Sequence, residues 1–140
     1  MTIDETLATK LFDEQSLAFL GSVDQAGFPQ IRAMMSPRKR EGLRKLYFTT
    51  DTLTNKIKDY TNNEKACLYL CDATNFQGVL LMGKIEILKS SAYKEMLWQV
   101  GDEAFYAGGV TDPNYCVLSF NVEKIRNYSY LESVEYQVPK

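Results

Sequence analysis

Two cations stand where local structure disfavours them. Arg32 interrupts the apolar run FPQIRAMMS, and Lys56 opens a helical pattern at the end of LYFTTDTLTNK. A charge on an apolar strand is costly without a partner. A cation in the first turn of a helix faces the positive end of the dipole, at a cost of a few tenths to about 1 kcal/mol unless an anion compensates it. Thr49, Thr50, Asp51, Thr52, Thr54 and Asn55 surround Lys56, more hydroxyl and amide groups than a turn requires. Hydroxyls, unpaired helix amides and a cation together describe an anion site, most naturally for a phosphate. A phosphate monoester carries about two negative charges near neutral pH, so a second cation is expected. If the Arg32 strand neighbours KLYFTT, its guanidinium reaches the same anion with a forked pair of hydrogen bonds.

Other chemistry is narrowed by what the chain lacks. There is no histidine in its 140 residues. That removes the commonest metal ligand and general base, the usual haem ligand, and any Ser-His-Asp or Cys-His mechanism. Cys67, Cys71 and Cys116 are an odd set with no secretion signal, which argues against a disulfide framework. Cys67 and Cys71 lie on one strand pattern, where four residues span about 13 Å, too far for a disulfide. The acidic, amphipathic N-terminus does not resemble a signal peptide, and no apolar run approaches the ~20 residues of a membrane span. A cytoplasmic location is expected. The net charge of -2 gives no general attraction to nucleic acid or anionic membrane.

These residues need elements to position them. The spacing of Leu7, Leu11 and Phe12, with a Thr2–Glu5 capping box, predicts a first helix. SLAFLGSV and FPQIRAMMS form a hairpin around DQAG, with Pro29 where a missing N–H costs least. PRKREGLRK is expected to be a charged loop, and KLYFTT the third strand. Thr54 to Asn62 is a short helix with Leu53, Ile57 and Tyr60 on one face. EKACLYLCD and GVLLMGKIEIL are further strands, and Gly83 marks a bulge or bend in the second. SSAYKEMLWQV is a helix ended by Gly101, and YCVLSFNVEKI and RNYSYLE close the chain. About seven strands, three short helices and hairpin-length links predict one mainly β domain over 1–140, an antiparallel barrel with helices filling its gaps.

The order of these motifs resembles a known family. Gly27, Pro29, Arg32 and Met34, then Tyr47 to Thr50, then Thr54, Asn55 and Lys56 resemble the pyridoxamine 5'-phosphate oxidase-like FMN-binding split barrels. The later strand GVLLMGKIEIL and the ending DPNYCVLSFNVEKIRNY extend the resemblance over nearly the whole chain. The resemblance implies a split antiparallel β-barrel, homodimeric, with FMN at the subunit interface. It implies that Arg32 and Lys56 bind the FMN phosphate with Asn55, and that Thr49 and Thr50 line the phosphate and ribityl chain. Backbone groups around Ala33, Met34 and Met35 would meet the edge of the isoalloxazine ring. Gln77 stands beside the position of a flavin-touching glutamine, and Trp98 and Tyr106 are candidates to cover the ring from the partner. Relatives that oxidise pyridoxamine phosphate use an arginine and a histidine near the C-terminus. The tail LESVEYQVPK has neither, so the resemblance points to the short, general-stress-type members and an unidentified small-molecule substrate.

Two other classes compete. Arg38, Lys39, Arg40, Arg44 and Lys45 with nine tyrosines would suit a nucleic-acid module on a small barrel. A sensory barrel without turnover would keep the fold and lose the chemistry. Met34, Met35 and Met82 are expected to be core packing rather than metal ligands. AFYAGGV, with Gly108 and Gly109, reads equally as a mobile lid over the site or as a plain loop, and not as a dinucleotide fingerprint, since no strand leads into it and no helix leaves it.

Overall fold

In a computed structural model, residues 3–139 are described, and Thr2 of the expected capping box lies outside them. Helix α1 (Ile3–Glu14) leads into β1 (Leu17–Val23), β2 (Pro29–Met35), β3 (Lys39–Glu41) and β4 (Lys45–Asp51). Helix α2 (Asn55–Asn62) separates these from β5 (Lys65–Asp72) and β6 (Gln77–Leu88). Helix α3 (Ser91–Leu97), two single 3-10 turns, β7 (Tyr115–Ser129) and β8 (Glu132–Gln137) complete the chain.

One eight-stranded antiparallel sheet runs β2-β1-β5-β6-β7-β4-β3, with β8 pairing beside β4 on the long β7. Its inner face carries Ala18, Leu20, Leu68, Leu70, Val79 and Leu81, all essentially inaccessible to solvent. Alternation along the strands puts their neighbours outside. Ala8, Leu11 and Phe12 of α1 and Ile57 and Tyr60 of α2 complete this core. Helix α3 covers the other side of β4 and β7 with Leu97 against Tyr47 and Val117. This is the expected mainly β architecture with helices in its gaps.

Several local expectations need correction. PRKREGLRK is not a plain loop: Lys39 to Glu41 form β3, paired to β4 and turned by Gly42 in the left-handed region at φ 57°. The closing segment is not two strands split near Ile125 but one fifteen-residue strand followed by β8. Leu53 precedes α2 and is 75% exposed, so the buried face of that helix is Lys56, Ile57, Asp59 and Tyr60. Met35 is exposed rather than core, while Met34 packs inward. The bend expected at Gly83 is a register shift between Met82 and Gly83. A Cβ at Gly83 would lie 2.0 Å from the Asn121 carbonyl oxygen, so only glycine fits. Of the cysteines, Cys116 is buried and Cys67 and Cys71 are half-buried on β5, all unpaired.

Candidate functional site

The β1–β2 hairpin sets the position of Arg32. Asp24 locks its turn: the carboxylate accepts the amides of Ala26 and Phe28 and the side chain of Gln30, each at 2.9 Å. These bonds, that to Phe28 foremost, hold the Asp24 carboxyl below the usual range. The register then places Arg32 opposite Leu20, on the inward parity of the edge strand β2. Arg32 does not extend into bulk water. Its guanidinium donates to the Leu20 carbonyl at 3.1 Å and to the Ser22 hydroxyl at 2.9 Å. Ser22 in turn donates to Asp59 on α2 at 2.7 Å, and the Asp59 carboxylate lies 3.7 Å from the guanidinium.

Helix α2 brings the second cation. Thr54 is its N-cap, yet the Thr54 hydroxyl donates back to the Asp51 carbonyl at 2.9 Å and caps no helix amide. The amides of Asn55 and Lys56, first in the helix, have no intrahelical acceptor. Lys56 is only 8% exposed. Among the described residues its ammonium has no hydrogen bond and no ion pair. Burial, and then the neighbouring Arg32 charge, push its pKa below the ordinary 10.5. Asp59 answers Arg32 and Asp51 acts on Lys56 from beyond ion-pair distance, so the Lys56 ammonium is the buried charge that no carboxylate contacts. Arg32, Asp24, Thr54, Asn55, Lys56 and Asp59 line one open cavity of about 620 Å³.

The remaining residues singled out from the sequence fall elsewhere. Thr49 and Thr50 end β4 on opposite faces, Thr50 buried beside Cys116 and Thr49 half-buried opposite Val117. Neither lines the cavity. Ala33 and Met35 are exposed on the outward face of β2 and Met34 turns inward, while the outer backbone edge of β2 has no neighbouring strand. Gln77 begins β6, three strands away and on the order of 20 Å along the sheet from Arg32. It lines a separate groove with Tyr69, Phe76, Tyr128 and Tyr130. Trp98 ends α3 in an aromatic cluster, 5.1 Å from the Tyr115 ring and 6.4 Å from the Tyr106 ring. Tyr115 pairs with Asp51, so this cluster stands at the end of β4.

Sequence reasoning missed Asp59, which lines the cavity, and Ser22, which bridges Asp59 to Arg32. Ser22 looked like an ordinary residue next to a hairpin turn. Asp59 carried a usable signal: it follows Lys56 by three, which puts both charges on the same, buried side of a short helix. The basic stretch 38–45 is largely engaged within the chain. Arg38 forms a two-pronged pair with Asp102, Arg40 pairs with Asp13 over the Phe12 ring, and Lys45 lies over Tyr47. Among the described residues no group of metal-binding side chains gathers, and no helix is long and apolar enough to cross a membrane.

The sequence model of pyridoxamine 5'-phosphate oxidase matches residues 4–129. The chain belongs to the pyridoxamine 5'-phosphate oxidase-like family. Among solved structures it is similar to a Clostridium acetobutylicum protein described as related to general stress protein 26 of Bacillus subtilis, of the pyridoxinephosphate oxidase family. Identity is 36%, 97% of each chain is covered, and the TM-score is 0.86. General stress protein 26 from Bacillus anthracis matches at 23% identity over 94% of this chain and 98% of its own, with TM-score 0.74. A heme binding protein from Mycobacterium smegmatis shares the fold at 11% identity and TM-score 0.76, over 98% of this chain and 59% of its own. No curated protein matches the chain. Family and fold together make the curled sheet with its helix-filled gaps a split barrel of this family.

Proposed function

We propose that the protein is an FMN-binding flavoprotein, an oxidoreductase that acts on a small molecule as a homodimer in the cytoplasm. One observation carries the cofactor: Lys56, buried and with no hydrogen bond or ion pair among the described residues, sits beside Arg32 at a cavity that the first residues of α2 also line. The groups present fit a phosphate monoester. Two cations answer its two charges, and the α2 amides and the Asn55 side chain answer its remaining oxygens. FMN, when bound, supplies hydride and electron transfer between donor and acceptor. The chain supplies position and charge. Arg32 and Lys56 grip the phosphate, and Thr50 stands behind the ribityl chain at the end of β4. Backbone groups of Ala33 to Met35 on the unpaired edge of β2 meet the rim of the ring, which that edge is free to do.

The homodimer is supported by the outward sheet face. Leu17, Phe19, Ile31 and Met35 are 46%, 37%, 69% and 72% exposed on adjoining strands β1 and β2. A contiguous apolar patch of this kind marks a surface that is covered in use. A second copy also accounts for Gln77, which can reach the flavin only from the partner. Trp98 and Tyr106 would complete the cover from the end of β4. The intramolecular pairing of Arg38, Arg40 and Lys45 favours a small-molecule ligand over nucleic acid. Haem is a weaker reading: the neighbour that binds it shares the fold alone, and this chain has no histidine.

The test is titration of the purified protein with FMN, read by flavin fluorescence and visible absorption. Saturable binding that Arg32→Ala and Lys56→Ala each weaken supports the reading. A protein that ignores flavin, or binds it equally well without both cations, contradicts it. Reduction of bound FMN by a nicotinamide donor would separate an enzyme from a sensory barrel.

A further inference from the structure

We infer that Ser22 and Asp59 are positioning residues that fix the Arg32 guanidinium in the orientation that grips the flavin phosphate; the inference rests on the FMN reading above. Ser22 and Asp59 are 3% and 7% exposed, so both are held inside the fold. A hydroxyl has one proton to give. Ser22 gives its proton to Asp59 at 2.7 Å, so its oxygen presents a lone pair to Arg32 at 2.9 Å. The Leu20 carbonyl takes a second guanidinium N–H at 3.1 Å. A guanidinium has five N–H donors in a rigid plane. With two of them anchored on β1, the plane is fixed and the others remain for the anion.

Asp59 also links the two cations. It lies on α2 one turn beyond Lys56, and through Ser22 it ties that helix to β1 and to the Arg32 side chain. Long side chains lose much rotamer freedom when they bind, and a pre-fixed one loses less. A different role would have the opposite sign. If Asp59 were only a counter-charge, its carboxylate would compete with the phosphate for Arg32. Its neutralisation would then tighten anion binding.

The experiment is FMN titration of the full chain as wild type, Asp59→Asn, Ser22→Ala and Arg32→Ala, and of Asp59→Asn combined with Arg32→Ala. Circular dichroism and thermal melting of each variant report folding. The expected result is a roughly tenfold weaker affinity for Asp59→Asn and for Ser22→Ala, about 1.4 kcal/mol. In the Arg32→Ala background Asp59→Asn should add nothing, because its effect runs through the guanidinium. A general packing role would instead add its loss in both backgrounds, which would overturn the inference. So would unchanged or tighter FMN binding by both folded single variants. If Asp59→Asn does not fold, the smaller Ser22→Ala change decides the matter alone. Wild type that binds no FMN overturns the cofactor reading and this one together; wild type that binds, with indifferent variants, overturns only this one.

Discussion

On the proposed reading, Lys56 is placed for a ligand at the expense of the ligand-free fold. Replacing it by methionine keeps most of the length of the side chain and removes a buried charge that no carboxylate contacts. The ligand-free melting temperature should rise, as buried ions replaced by apolar groups are often neutral or stabilising. FMN affinity should fall by about 1.5–3 kcal/mol, the scale of one charge-assisted hydrogen bond. The pH dependence follows from the same residue. Its folded pKa lies below the unfolded 10.5, so the folded chain releases the proton first. The destabilisation is complete at neutral pH and fades as pH rises through the folded value, so the ligand-free protein gains stability towards pH 10.5. Anion binding needs the charged form, so FMN affinity should decline over that alkaline window. It should also decline below about pH 6, where the phosphate takes up its second proton. Titrations from pH 5 to 10 check both limbs. Arg32 and Lys56 were legible in the sequence because each breaks a local rule, one on an apolar strand and one at a helix start. Ser22 and Asp59 break none, and a contact between residues 37 apart leaves no local trace.

At the scale of elements, the strands with alternating apolar residues stood out and the charged ones did not. β3 reads Lys-Arg-Glu and β8 is mostly exposed, so neither shows the pattern of a strand with one buried face. Both owe their form to neighbours: β3 is held by β4, and β8 extends along the half of β7 that β4 leaves open. Gly83, by contrast, announced its bulge, since a glycine within a strand pattern usually marks one. The prediction there is steric. Gly83→Ala drives a Cβ into the Asn121 carbonyl and should cost about 1–3 kcal/mol in urea denaturation. FMN affinity of the folded fraction should be unaffected, because Gly83 does not line the cavity of Arg32 and Lys56. Helix α2 shows how local pattern and tertiary demand interact. Ile57 and Tyr60 anchor it to the core, and that anchoring carries Lys56 under cover with them.

The whole molecule offers an apolar outer face that one chain leaves open. Ile31→Glu or Phe19→Glu places a charge there without disturbing the inner core. In sedimentation equilibrium the wild type should show twice the chain mass, and these variants should shift to monomer with weaker FMN binding. The split barrel was legible as a whole because the motifs recur in the family's order, from Gly27 through Lys56 to the long last strand. The share of the site proposed for a second copy was not, because a second copy leaves no pattern in the chain that it would cover. The account stands on Arg32 and Lys56 converging on one phosphate, and FMN titration of the Arg32→Ala, Lys56→Ala double variant beside wild type tests that most directly. It predicts a yellow complex with the wild type and a loss of several kcal/mol in the double variant. Equal affinity for the two proteins would contradict it.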